Sequence, residues 1–233
     1  KNPRIEPPLG HPGRRAASHV QSWGLEVIDA PGAWLVPRQG GMQTVCMIDT
    51  GFFPDHQDLR STGSDREIEL VGMAYDLVRT DTGHGTEVGG VIAAAHHTGY
   101  GRAGVCPNSR ITAVRVDLAT LPGQAVNLVA GSLQYSIIGQ AVQLVDEMAQ
   151  KVQFRILNIS KSVRSDRATI ENMARTHLLA PVDAFLGRGG ILVVGGENSG
   201  AVPASTCFPA AIRQVSTRRS SILVVGSIEA GSV

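Results

Sequence analysis

Asp49 stands directly after the apolar run TVCMI, in the string IDTG. Thr50 and Gly51 allow a sharp turn there, which leaves a carboxylate at the end of a strand. His84 opens HGTEVGGVIAA, 35 residues further on, and Asn198 follows ILVVGGE. A carboxylate, an imidazole and a side-chain amide are parts suited to acyl transfer. The imidazole moves a proton, the carboxylate orients the ring and balances its charge, and the amide donates to an oxyanion. Each residue taken singly has a plainer use: Asp before Gly and Asn before Ser-Gly form turns, and a His at this point caps a helix. His84 falls where a helix begins, and a helix N-terminus disfavours positive charge, so a ring that takes up a proton there needs a carboxylate nearby.

The elements that must hold these groups are legible as apolar runs. Thr44–Ile48 reads as a buried strand, followed by ITAVRV at Ile111–Val116, RILNIS at 155–160, ILVVGG at Ile191–Gly196 and ILVVGS at Ile222–Ser227. Helices are expected between them. One covers about Gly85 to Ala95, where Gly85, Gly89 and Gly90 let the backbone pack closely. A second runs from about Ile137 to Gln150, with Ile138, Ala141, Val142, Val145 and Met148 on one face. A third starts at Ala168, and Pro181 is expected to kink or split it. Asp29 is placed to cap a short helix through Pro31 and Trp34. Apolar strands alternating with helices predict an α/β fold of three layers, a mainly parallel central sheet flanked by helices, because parallel strands need a crossover connection. In such sheets functional groups gather at the carboxyl ends of the strands, where Asp49, Ser160 and Asn198 fall. The strand order is not legible.

In motif, order and context, VCMIDTGFFPDHQDL, HGTEVGG, GVCPNSRITAVRV, ILNIS and ILVVGGENSG resemble the subtilisin-like serine proteases, the subtilases of peptidase family S8. The resemblance covers Ser22 to about Ser227. It implies a serine endopeptidase in which Asp49 and His84 are two members of a triad in the chain order Asp, His, Ser, and Asn198 is the oxyanion-hole amide. A polypeptide substrate would add as a strand along the residues that match the family's Ser-Leu-Gly, here Ser160, Lys161 and Ser162. The resemblance requires no cofactor for the chemistry. Asp58, nine residues beyond Asp49, matches a carboxylate that holds a structural calcium in several relatives, although calcium takes roughly six to eight oxygens and one carboxylate is not a site. A secreted or cell-envelope location, and a propeptide as folding partner, belong to the same set of expectations.

The chain also departs from the family pattern. No GTSMA-like segment, which carries the family's nucleophilic Ser, follows Asn198; Ser199, Ser205, Ser220, Ser221, Ser227 and Ser232 occupy no such turn. The expectation is that the fold is incomplete at the C-terminus, that the chain is inactive alone, and that part of its apolar core lies bare. Two readings follow: the N-terminal portion of an endopeptidase, or a pseudoprotease that binds extended peptides without cleaving them. A plain α/β domain using these residues for turns and caps requires three coincidences in the right order. Ser162 stands where the family prefers Gly, and the resemblance implies that its side chain narrows the primary specificity pocket. Glu197 replaces the Gly before the oxyanion Asn, and Glu87 stands where a second His is common.

Composition bounds the rest. The 233 residues suit one large domain, with 42% hydrophobic and 18% charged residues. Residues 1–20 mix Pro, Gly and Arg without periodicity and read as an extended arm, leaving 21–233 as the N-terminal portion of the peptidase domain. A net charge of +1 creates no field that recruits nucleic acid or an anionic membrane. No apolar run approaches the roughly 20 residues needed to span a bilayer. Cys46, Cys106 and Cys207 form no CxxC pair and read as buried thiols, with one disulfide open to them; no metal site is expected.

Overall fold

The computed structural model describes residues 23–35, 43–53, 56, 58–59, 68–72, 83–95, 103–107, 109–116, 129–150, 155–196 and 203–227. The expected arm at 1–20 lies outside them. Six strands form one parallel sheet: β1 (Thr44–Asp49), β2 (Ile68–Gly72), β3 (Arg110–Arg115), β4 (Ile156–Ile159), β6 (Ile191–Gly195) and β8 (Ile222–Val225). Their spatial order is β2-β3-β1-β4-β6-β8, and every pairing is parallel. A separate antiparallel pair joins β5 (Val163–Arg164) to β7 (Cys207–Phe208). The chain leaves β1 for β2 and β3 on one side and returns to β4 on the other. The sheet therefore reverses its winding beside β1, the place where open α/β sheets form a crevice at the strands' carboxyl ends.

Alternation along the strands divides two cores. Cys46, Ile48, Val114, Leu157, Ile159, Leu192, Val194 and Ile222 face one side. There they meet α4 (Val129–Ala149), α5 (Arg167–Met173) and α6 (Leu179–Gly187) through residues such as Ile138, Val142, Ile170 and Phe185. The alternate residues Met47, Ile111 and Ala113 face the other side, where Phe52, Leu59 and Ala93 cover them. Ala93 ends α3 (His84–Ala93). All six residues of β1 are buried, as a strand covered on both faces requires. Further along the α3 side, Ile191, Leu223 and Val225 of the outer strands are 41%, 52% and 53% exposed, so the apolar sheet is uncovered there.

The helix expected from Ala168 is continuous rather than split. Between α5 and α6 the residues Ala174–Leu178 form one wider turn. Pro181 lacks an N–H and its ring crowds the carbonyl four residues back, that of His177, so the backbone widens instead of breaking. The wide turn packs against α4 at Gly139, where a Cβ would stand 2.2 Å from His177 O. The second helix begins at Val129, earlier than its apolar face indicates. Near the N-terminus α1 (Trp23–Val27) and α2 (Ala30–Trp34) are separated by Asp29, whose carboxylate accepts from Gly32 N as the expected cap. Trp34 Nε1 donates to Val105 O at 2.8 Å, fixing α2 to the segment that packs on the end of α3. A short helix α7 (Ile212–Val215) precedes β8.

Candidate active site

The geometry starts at the carboxyl end of β1. Asp49 is the last residue of the strand, and its carbonyl accepts from Val116 N at 2.7 Å, holding the strand end against β3. The chain then turns at Gly51, whose φ of 127° is costly for any residue with a Cβ. His84 is the first residue of α3. Three ties join this helix to the turn after β1. Gly85 N donates to Thr50 Oγ1 at 3.2 Å, Phe53 N donates to Thr86 Oγ1 at 2.9 Å, and the buried Phe52 ring lies where a Cβ on Gly89 would be, 2.3 Å from its Cε2. Of the three glycines expected to allow close packing, Gly85 and Gly89 do so; Gly90 faces open space.

These ties bring His84 Nδ1 to 2.7 Å from Asp49 Oδ1. The two side chains differ sharply in exposure, Asp49 at 1% and His84 at 50%. A carboxylate only accepts hydrogen bonds, so Nδ1 carries a ring proton, and in the neutral ring Nε2 keeps its lone pair on a side chain half open to solvent. Asp49 Oδ1 also accepts from Thr50 N at 2.7 Å and from Thr50 Oγ1 at 3.3 Å. Asp49 Oδ2 is buried and has no hydrogen-bond partner among the described residues. A buried carboxylate beside a half-exposed imidazole orients the ring and offsets the charge it gains on taking a proton.

The next strand end lies alongside. Ile48 pairs with Ile159, so Asp49 and Ser160 follow at neighbouring ends of β1 and β4. Ser160 Oγ accepts from Asn158 Nδ2 at 2.9 Å. Ser160 and Lys161 are half-buried and Ser162 is exposed, just before the β5–β7 pair. Asn198 and Glu197 lie outside the described residues. The last described residue on that path, Gly196, follows β6 at the same edge of the sheet, where its N–H donates to Val225 O at 2.7 Å. Glu87 is exposed on the first turn of α3.

Sequence reasoning treated Thr50 only as a turn residue and missed its hydroxyl, which touches both Asp49 and the start of α3. A Thr after a strand-end Asp, paired with a Gly after a helix-start His, is the signal that marks it. Cys106 differs from expectation: it is exposed, while Cys46 and Cys207 are buried, and all three are free thiols. Burial pushes the Cys46 thiol far up, so it is no nucleophile. No group of three or more His, Cys, Asp or Glu able to hold a metal occurs among the described residues. Asp58 Oδ1 is buried and without a hydrogen-bond partner among the described residues, which fits a cation ligand in that one oxygen only. No helix among them is long and apolar enough to cross a membrane.

A parallel α/β sheet with a carboxylate–imidazole pair at its carboxyl edge is an arrangement able to move a proton, and comparison with known proteins gives the chain a family. The Peptidase S8 model, the subtilase family, matches residues 40–230, and the chain belongs to that family. The alkaline protease of Alkalihalobacillus alcalophilus is 30% identical over 188 residues, covering 81% of this chain and 42% of that protein. Subtilisin Savinase of Lederbergia lenta is 30% identical over 188 residues, 81% of this chain and 59% of its own. The minor extracellular protease Epr of Bacillus subtilis is 34% identical over 103 residues, 44% of this chain and 15% of Epr. The chain thus spans less than two thirds of each of these relatives. Among solved structures, MycP1 from Mycobacterium smegmatis superposes with a TM-score of 0.64 at 19% identity, over 94% of this chain and 59% of that one. MycP3 from the type VII (ESX-3) secretion system gives 0.59 at 21% identity, over 94% of this chain and 60% of that one. At such identities the two structures speak for the fold.

Proposed function

We propose that the protein is a serine endopeptidase in which Asp49 and His84 form the acid–base pair. His84 Nε2 takes the proton from a Ser hydroxyl as that oxygen attacks the scissile carbonyl, then gives it to the leaving amine. Asp49 holds the ring with Nε2 outward and stabilises the imidazolium. Asn198 donates to the tetrahedral oxyanion. The substrate is an extended polypeptide laid along Ser160, Lys161 and Ser162, with Ser162 narrowing the primary pocket. The single observation that carries the reading is the 2.7 Å contact between His84 Nδ1 and Asp49 Oδ1 with the carboxylate buried. Membership of a family that acts on polypeptides supports the substrate class.

No Ser of these 233 residues stands in a GTSMA-like context, so none is assigned as the nucleophile, and the 233-residue polypeptide alone is inactive in this reading. The chemistry needs no cofactor; Asp58 Oδ1 is the oxygen a structural calcium would take. A propeptide that assists folding belongs to the proposal. So does a secreted or envelope location, which the likeness to the extracellular Epr supports. The major intracellular serine protease of the same bacterium is 36% identical over 95 residues, so cell fractionation decides that point.

The test is to express the complete reading frame, treat the product with a fluorophosphonate and assay a denatured polypeptide. Covalent labelling of one Ser, with hydrolysis lost on labelling, is expected. A product that binds extended peptides but is neither labelled nor hydrolytic is instead a pseudoprotease.

A further inference from the structure

We infer that Thr50 is a positioning residue for the Asp49–His84 pair, its hydroxyl coupling the carboxylate to the helix that carries the imidazole. The inference rests on the peptidase reading only for the use made of the pair. Thr50 is 8% exposed. Its Oγ1 accepts from Gly85 N at 3.2 Å and lies 3.3 Å from Asp49 Oδ1. The hydroxyl donates to Asp49 Oδ1 while its oxygen accepts from Gly85 N. Thr50 N donates to the same carboxylate oxygen at 2.7 Å. Among the described residues, Thr50 therefore supplies two of the hydrogen bonds at Oδ1, and His84 Nδ1 supplies another.

Two further observations give the hydroxyl its leverage. Asp49 Oδ2 has no partner among the described residues, so the donors they offer to orient the carboxylate all gather at Oδ1. Gly85 follows His84 and is the second residue of α3, one of the positions whose N–H has no acceptor within the helix. Thr50 supplies that acceptor, so a shift of α3 that moves the imidazole also pulls on the hydroxyl that orients the carboxylate. The β-branched side chain confines χ1, holding Oγ1 between its two partners more firmly than an unbranched residue would.

The test is NMR of the His84 ring in the product of the complete reading frame, comparing Thr50→Val, which keeps the shape and removes the hydroxyl, with Thr50→Ser, which keeps the hydroxyl. The unsubstituted chain and Thr50→Ser are expected to show the Nδ1–H tautomer with a slowly exchanging ring proton. In Thr50→Val that proton should exchange at least about tenfold faster, the equivalent of one lost hydrogen bond to a charged group, and the Nε2–H tautomer should appear. A Thr50→Val ring indistinguishable from the unsubstituted one overturns the proposal. Should Thr50→Val not fold, the unsubstituted chain still decides: a protected Thr50 hydroxyl proton with a cross-peak to the Gly85 amide is expected, and a freely exchanging one overturns the role. None of these readouts needs turnover, so they stand or fall separately from the peptidase assignment.

Discussion

A Cβ placed on Gly85 would stand 1.8 Å from Gly51 O and 3.3 Å from Asp49 Cβ. The second residue of the helix that carries His84 is thus in direct contact with the turn that follows Asp49, and the neighbour it would strike is backbone. Alanine there would gain up to about 1 kcal/mol of helix propensity. The clash outweighs this, since overpacking costs about 1–3 kcal/mol where neighbours cannot yield. Gly85→Ala should lower the urea midpoint and separate the His84 ring from Asp49. Gly90, five residues on in the same helix, meets nothing within 4 Å, so Gly90→Ala should stabilise by about 0.5–1 kcal/mol. Equal effects of the two substitutions would refute the packing assigned to this helix.

The wide turn before α6 makes a second, independent prediction. Gly139→Ala would place a methyl carbon 2.2 Å from His177 O, forcing α4 from the turn that accommodates Pro181. A loss of about 1–3 kcal/mol is expected from urea unfolding. The substitution lies in the core opposite α3, so the His84 ring resonances should not move.

Asp166 sets a pH dependence. Its carboxylate caps α5 by accepting from Thr169 N at 2.9 Å, and hydrogen bonds from Thr169 hold its pKa below the ordinary value. A carboxyl group lowered on folding stabilises the fold fully above its unfolded value. That contribution is lost as pH falls through the folded one. The urea midpoint should therefore decline below about pH 4, and Asp166→Asn, which keeps a capping oxygen, should flatten that decline while changing the midpoint little at pH 7. An identical acid slope in the variant would remove Asp166 as a cause.

Asn198 bears on rate more than on binding in the proposed mechanism. In an active preparation Asn198→Ala should reduce kcat on the order of 10²–10³-fold with KM nearly unchanged. Unchanged turnover in steady-state kinetics would exclude it from the oxyanion site.

Much of this fold was legible because both of its periods are strong. Five of the six sheet strands appear as apolar runs within a residue or two of their observed ends, and the buried positions Ile138, Ala141, Val142 and Val145 lie on the helical face their spacing marked. The exception is β2 at Ile68–Gly72, IELVG, whose flanks carry no distinctive signal. Strand order was hidden because it depends on which edges the crossovers reach. Pro181 marked the place of an interruption but not its form, a wider turn packed against Gly139. The pairing of Asp49 with His84 was inferred from family likeness, since 35 residues of intervening chain carry no distance information. The role of the Thr50 hydroxyl was hidden because it is three-dimensional, arising only when α3 docks on the turn.

The central claim is that the Asp49–His84 pair performs the proton transfers of peptide hydrolysis. Its most direct test is steady-state hydrolysis by the product of the complete reading frame carrying Asp49→Asn, which leaves the shape and reverses the preferred tautomer of the His84 ring. The account predicts a fall in kcat on the order of 10⁴-fold near neutral pH, with KM changed little. A variant that cleaves its polypeptide substrate as fast as the unsubstituted protein would contradict it.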